Sequence, residues 1–327
     1  MKNRNAVIFG AVWLTIIVVV VVDILWARVA GFSIMRGWPI SSISPRIWVS
    51  LVATVALALL SYVPRYSAPT KFLRCREIAF AILFLVSVYF WGQAMSVVSY
   101  LGTALNRPTI EIDLIKFDAF LGFGWLNAYH WVSSHPWLAA ALRNAYFSAY
   151  TQLVVLSFVL AFMRRVDDLS ELMAIMVVSL ILVMVVSIPY PAASAFLHYG
   201  ISEPGTSDSV RDFALLRSGD LKVINPMAVQ GLVSIPSFHT MMALFFIYSV
   251  RNIRLALPAV AVLNVIMISS TITVGGHYLA DVLAGIVCGV AVILAVRRGL
   301  RLQFDPRGGN DLPLAVSTTG KSSASAL

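Results

Sequence analysis

Residues 277–301 read HYLADVLAGIVCGVAVILAVRRGLR: a histidine and an aspartate four positions apart head an apolar run that closes on three arginines. From Tyr278 to Val296 the run is long enough to cross the roughly 30 Å hydrocarbon layer as a helix. Seven further stretches repeat the pattern: Ala6 to Val22, Ile47 to Val63, Ile78 to Leu101, Leu138 to Met163, Leu172 to Phe196, Ser237 to Val250 and Leu255 to Val274. They are apolar all round, whereas barrel strands would alternate apolar with polar over about ten residues. The expected fold is therefore an all-α, polytopic membrane helix bundle of about eight spans, each satisfying its backbone within its own helix.

Composition agrees. Of 327 residues, 59% are apolar and 12% charged, against roughly 45 to 50% and about 25% in soluble proteins. Cys75 and Cys288 are too few and too scattered for a disulfide framework. The net charge of +9 is carried by residues flanking the spans, so it predicts membrane orientation and no nucleic-acid partner. With the amino terminus inside, Lys2, Arg4, Arg65, Lys71, Arg74, Arg76, Arg164, Arg165, Arg251, Arg254, Arg297, Arg298 and Arg301 all fall in short inner segments. Arg28 stands where a leader-cleavage site would be needed, so the first span reads as uncleaved. The Ser/Gly-rich stretch from Gly308 to Leu327 has little to bury and reads as disordered.

Ionisable side chains inside spans are costly and point to sites. Asp23, Arg143, His239, His277 and Asp281 all fall in the outer half of the layer on this topology. For Asp23 and Arg143 a plain reading, as interface residues or as a mutual pair, stands level with a role in a site. His277 and Asp281, one helical turn apart, place a carboxylate against one imidazole nitrogen and leave the other as a fixed lone pair. A nucleophile or general base needs that arrangement, although an ordinary ion pair shares it. Gly275 and Gly276 permit close backbone approach, and the helix start offers amides to an anion. A second cluster, Ser234-Ile-Pro-Ser-Phe-His-Thr240, reads as a helix entrance where hydroxyls and amides cap the helix or hold phosphate oxygens. Capping accounts for Ser234 and Ser237 but not for His239.

SIPSFHT (234–240), followed by HYLADVLAG (277–285), resembles the paired motifs of the type-2 phosphatidic-acid phosphatase superfamily, in particular its branch of inositol phosphorylceramide synthases. The resemblance covers roughly residues 140 to 297. It implies that His277 attacks phosphorus, that Asp281 orients it and that His239 protonates the leaving group. It also implies three regions: membrane spans and an outer loop over 1–137, a phosphatase-like or phosphotransferase-like catalytic helical core over 138–300, and a cytoplasmic tail over 301–327.

The chain departs from the superfamily pattern in two places. No Lys-x6-Arg-Pro occurs, and Thr271 stands where an arginine precedes the nucleophile by six residues. Pro189-Tyr190-Pro191 resembles the proline-rich segment of the inositol-transfer branch. Other groups must then balance phosphate charge: Arg217 first, with Arg143, Arg211, Ser237 and Gly276.

The resulting expectation is an integral-membrane lipid phosphatase or phosphotransferase. It would use a phosphohistidine on His277 at the outer, periplasmic or luminal face of a cell membrane, with a lipid phosphate as substrate and water or an alcohol as acceptor. Inositol-phosphate transfer to a lipid is the alternative. Membrane helices carrying Asp, Arg and His also suit a transporter, but the titratable groups gather at one depth instead of lining a path. Glu111, Asp113, Asp118, Glu203, Asp208, Asp212 and Asp220 are scattered along loops, so neither a metal nor another cofactor is expected.

Overall fold

The computed structural model describes residues 4–40, 44–60, 63, 67–202, 207–232 and 234–304. Lys2, Arg65, Glu203 and the tail from Gly308 onward lie outside the described residues. Among the described residues eight apolar helices form the bundle: α1 (Arg4–Val29), α2 (Pro45–Leu60), α4 (Cys75–Thr103), which follows the short α3 (Ser67–Phe72), α7 (Pro136–Phe162), α8 (Val166–Ser187), α11 (Phe238–Ser249), α12 (Ala256–Thr273) and α13 (Leu279–Phe304). Six are long and apolar enough to cross a membrane, whereas α2 and α11 are shorter, with 16 and 12 residues. At 1.5 Å per residue α11 reaches only about 18 Å. It is surrounded by α7, α8, α12 and α13 and buries Met241, Phe245 and Phe246, so the irregular backbone at its entrance is shielded by protein.

Helix limits follow local chemistry. Pro136 starts α7, where its missing N–H costs nothing. Asp167 and Asp168 occupy the first turn of α8, complementing the helix dipole. The span expected to run on to Phe196 stops at Ser187, because Pro189 and Pro191 cannot continue it. Phe196 belongs instead to the single turn α9 (Ala195–His198). At the other extreme α13 runs past Val296 to Phe304, carrying Arg297, Arg298 and Arg301 within the helix.

One apolar core joins Phe9 of α1, Phe84 and Trp91 of α4, Leu160 of α7, Met173 of α8, Phe245 of α11, Met267 of α12 and Val292 of α13. The helices before residue 137 and those after it thus share a core, with α1 on α8 and α4 on both α7 and α8. Leu14, Ile17 and Val18 of α1 and Val49, Val52 and Leu59 of α2 face outward, as lipid-facing positions do.

The two ends of the bundle differ. At the end away from the histidines, Arg251 bonds Asp168 and Glu171 at 3.0 Å each and lies over the Tyr248 ring, while the Tyr248 hydroxyl donates to Glu171 at 2.8 Å. At the histidine end lie α5 (Glu111–Phe120), α6 (Trp125–Ser133), α9 and α10 (Ser207–Ser218). A two-residue parallel ladder there pairs Ser33 and Ile34 with Val223 and Ile224. The Tyr100 hydroxyl donates to Asp212 at 2.6 Å and pins α10 to α4.

Candidate active site

The entrances of α11 and α13 are fastened together. The amide of Ser237 donates to the Asp281 carbonyl at 3.1 Å. Gly285 makes the approach possible, since a Cβ there would lie 2.7 Å from the Ser237 carbonyl oxygen. Both serines and Asp281 are buried, and Ser234 Oγ donates to Asp281 Oδ2 at 2.7 Å.

Asp281 Oδ2 also meets His277 Nδ1 at 3.3 Å and accepts the Tyr278 amide at 3.0 Å. The pair does not share a helix face as its spacing suggested. His277 precedes the first residue of α13, and Asp281 in the first turn reaches back over the helix start. His277 is held through its backbone on three sides. Its amide donates to Thr271 O at 3.1 Å, and its carbonyl accepts the Trp125 indole N–H, shared with Ile272 O, at 3.1 Å. The preceding Gly276 carbonyl accepts from the Ala195 amide at 2.9 Å and from Ser194 Oγ at 3.2 Å. Gly276 sits at φ +66°, and a Cβ there would meet Ser194 and the Phe196 ring. Only glycine fits that conformation without strain.

Two of the amides that the sequence offered to an anion at this helix start are already taken. Asp118 of α5, 2% exposed, accepts the Leu279 amide at 2.9 Å and the Ala280 amide at 2.8 Å. Burial pushes the Asp118 carboxyl above the usual range despite the two amides, which act the other way. Trp125 of α6 is stacked between Tyr129 and Tyr199 at 5.3 Å on each side and covers the same helix start. Only the residue types Asp and Trp in a loop with apolar residues hinted at these roles; their partners lie some 150 positions downstream.

By contrast, α11 has Ser237 at its N-cap with no side-chain capping bond to the helix amides. Ser237 Oγ instead accepts Thr240 Oγ1 at 3.1 Å. The first turn of α11 therefore presents amides beside the Asp281 carbonyl, the polarity that receives an anion. His239 in that turn stacks on Tyr146 of α7.

The arginines divide. Arg143 lies three residues before Tyr146 on α7, hence on nearly the same helix face and one turn nearer the loops. Arg217 donates to the Arg107 carbonyl at 3.0 Å and lies over Phe213, while Arg211 pairs with Asp208 at 2.9 Å and Asp212 at 3.1 Å. Asp23 is fully buried and, among the described residues, neither carboxylate oxygen accepts a hydrogen bond, so the direct Asp23–Arg143 pairing that the sequence allowed does not form. Thr271 is buried with its hydroxyl on Ile268 O, contributing a backbone carbonyl to the site and no charge. Among the described residues, no three His, Cys, Asp or Glu side chains converge as metal ligands.

A membrane helix bundle with this constellation at its helix entrances agrees with the sequence comparison. The PAP2 superfamily model matches residues 112–295, more than half of the chain, and the protein belongs to that superfamily. The match is to the superfamily and does not single out the inositol-transfer branch. It begins at residue 112, not near 140, and so takes in α5 and α6 with Asp118 and Trp125. Searches of curated proteins and of solved structures give no match.

Proposed function

We propose that the protein cleaves a lipid phosphate ester through a phosphohistidine on His277 and passes the phosphoryl group to water or an alcohol. The observation that carries this reading is the contact of His277 Nδ1 with Asp281 Oδ2 at 3.3 Å, which leaves Nε2 as the free nitrogen. In the first step the Nε2 lone pair forms a bond to phosphorus, the ester P–O bond breaks, and the His239 imidazolium gives its Nε2 proton to the leaving oxygen. In the second step water or an alcohol returns a proton to His239 while its oxygen bonds phosphorus and the P–N bond breaks.

Charge on the transferring group is met by the first-turn amides of α11, with Ser237 and Gly276 as further phosphate contacts. Arg143 is the favoured cation, because it lies one helical turn from Tyr146, which stacks on His239; Arg217 and Arg211 follow. The segment Pro189-Tyr190-Pro191 ends α8 and leads into Ser194 and Ala195, which bond Gly276 O. The resemblance of this segment to the proline-rich stretch of the inositol-transfer branch is the ground for the second reading, an alcohol acceptor, including inositol-phosphate transfer to a lipid. The basic-residue bias supports chemistry on the outer face of the membrane.

The test is a mass-spectrometric lipid comparison of purified wild type and His277→Ala, with candidate alcohol acceptors added. Loss of every phosphorylated-lipid conversion in the variant is expected; unchanged conversion removes the covalent mechanism.

A further inference from the structure

His239 and His277 are both supported at Nδ1, but by different groups. His277 has a carboxylate there, whereas the hydrogen bond to the His239 ring comes from the Tyr146 hydroxyl, Oη to Nδ1 at 3.3 Å. Among the described residues no other side chain is hydrogen-bonded to His239. The two rings also lie face to face, 4.2 Å between centroids with 19° between planes. Stacking fixes the plane of the imidazole, and the hydroxyl fixes its rotation within that plane. A third feature makes room for the pair. A Cβ on Gly275 would lie 2.9 Å from Tyr146 Cε2 and 3.1 Å from His277 Cδ2, so the bare glycine beside the nucleophile lets the tyrosine ring in. Tyr146 belongs to neither sequence motif and is supplied from α7.

We infer that Tyr146 is the positioning residue of the proton donor, an assignment that rests on the histidine mechanism proposed above. In the imidazolium, Nδ1 carries a proton, and Tyr146 Oη at 3.3 Å is placed to accept it. The Nε2 proton is therefore the one that leaves when the ester bond breaks, and Nε2 is the lone pair that recovers it from water or alcohol. In the neutral ring the phenol accepts from Nδ1–H when Nε2 holds the lone pair, which is the state that takes the proton from water or alcohol. A carboxylate in the place of Tyr146 would favour the imidazolium and oppose proton release; a neutral phenol orients the ring without that opposition. The two histidines thus have supports matched to their tasks, an anion behind the nucleophile and a neutral hydroxyl behind the acid.

The experiment compares kcat/KM of wild type, Tyr146→Phe, His239→Ala, the double variant and His277→Ala in detergent micelles. The substrates are hexadecyl phosphate, whose alkoxide must be protonated, and p-nitrophenyl phosphate, whose phenolate leaves without a proton. Phenylalanine keeps the stacked ring and removes only the hydroxyl. Tyr146→Phe should lose roughly tenfold on hexadecyl phosphate, the scale of one hydrogen bond, and stay within about twofold on p-nitrophenyl phosphate. Because the result is a ratio between two esters on one preparation, it does not depend on the folded fraction. Adding Tyr146→Phe to His239→Ala should cost nothing further, as expected when one residue acts only through the other.

Equal losses on both esters, or a full additional loss in the double variant, overturn the role of Tyr146. Retained turnover in His277→Ala overturns the underlying mechanism instead, and a wild type that cleaves neither ester overturns both.

Discussion

Ser234 Oγ approaches Asp281 Oδ2 at 2.7 Å, closer than the His277 nitrogen that shares the same oxygen at 3.3 Å. The carboxylate proposed to orient the nucleophile is therefore itself oriented by the first residue of the other motif, 47 positions earlier. Its second oxygen, Asp281 Oδ1, is buried with no hydrogen-bond partner among the described residues, whose contacts fix the group at Oδ2. Ser234→Ala should lower kcat about 10- to 100-fold, the range of a hydrogen bond to a charged group. Asp281→Asn should cost roughly 10²- to 10⁴-fold, by analogy with orienting carboxylates elsewhere. Steady-state kinetics on both variants checks the order, and a Ser234→Ala enzyme with wild-type kcat would mean that the serine is only a packing residue.

Asp118 makes a prediction in stability. Its carboxyl is held above the usual range by burial, so the folded state binds this proton more tightly than the unfolded state does. The group's contribution is most favourable when protonated and diminishes as pH rises from its unfolded value of 3.8 through the raised folded value. The melting temperature of wild type relative to Asp118→Asn should accordingly be highest at the acid end and fall with rising pH. Melting curves of the detergent-solubilised proteins across that interval test the sign, and a gap that widens with pH would contradict it.

The eight apolar helices were legible because their side chains are apolar on every face, a pattern that needs no knowledge of partners. The candidate site was legible by residue type, in that His277, Asp281, His239 and Ser237 gather at two joined helix entrances. What the spacing did not reveal was that His277 lies outside its helix, since four residues of separation look alike in a helix and in a turn folded back on one. Asp118 and Trp125 were hidden for another reason. They sit on short outer helices of 10 and 9 residues whose bonding partners are backbone groups, which leave no trace in side-chain chemistry. Tyr146 read as one more aromatic on an apolar span.

The arginines give a third prediction. Arg143→Ala should lower kcat/KM by about 10- to 100-fold for a phosphate ester, the scale of a charge-assisted contact. Arg217→Ala, whose guanidinium is spent on the Arg107 carbonyl, should stay within about threefold. The reverse order, read from the same kinetic assay, would return the phosphate contact to Arg217.

Sidedness follows from the basic residues. In intact cells a membrane-impermeant maleimide should label Gly219→Cys, in the loop after α10, and should reach Arg254→Cys, between α11 and α12, only after permeabilisation. The opposite pattern would place the histidines on the inner face.

The central claim, a covalent bond between phosphorus and His277, is tested most directly by trapping it. Purified protein mixed briefly with p-nitrophenyl phosphate, quenched in alkali where phosphoimidazoles survive, and digested should yield a His277 peptide carrying one phosphate by mass spectrometry. His239→Ala should still form that adduct with this ester, and His277→Ala should form none. A phosphate on any other residue, or turnover with no adduct on His277 at any quench time, would contradict the account.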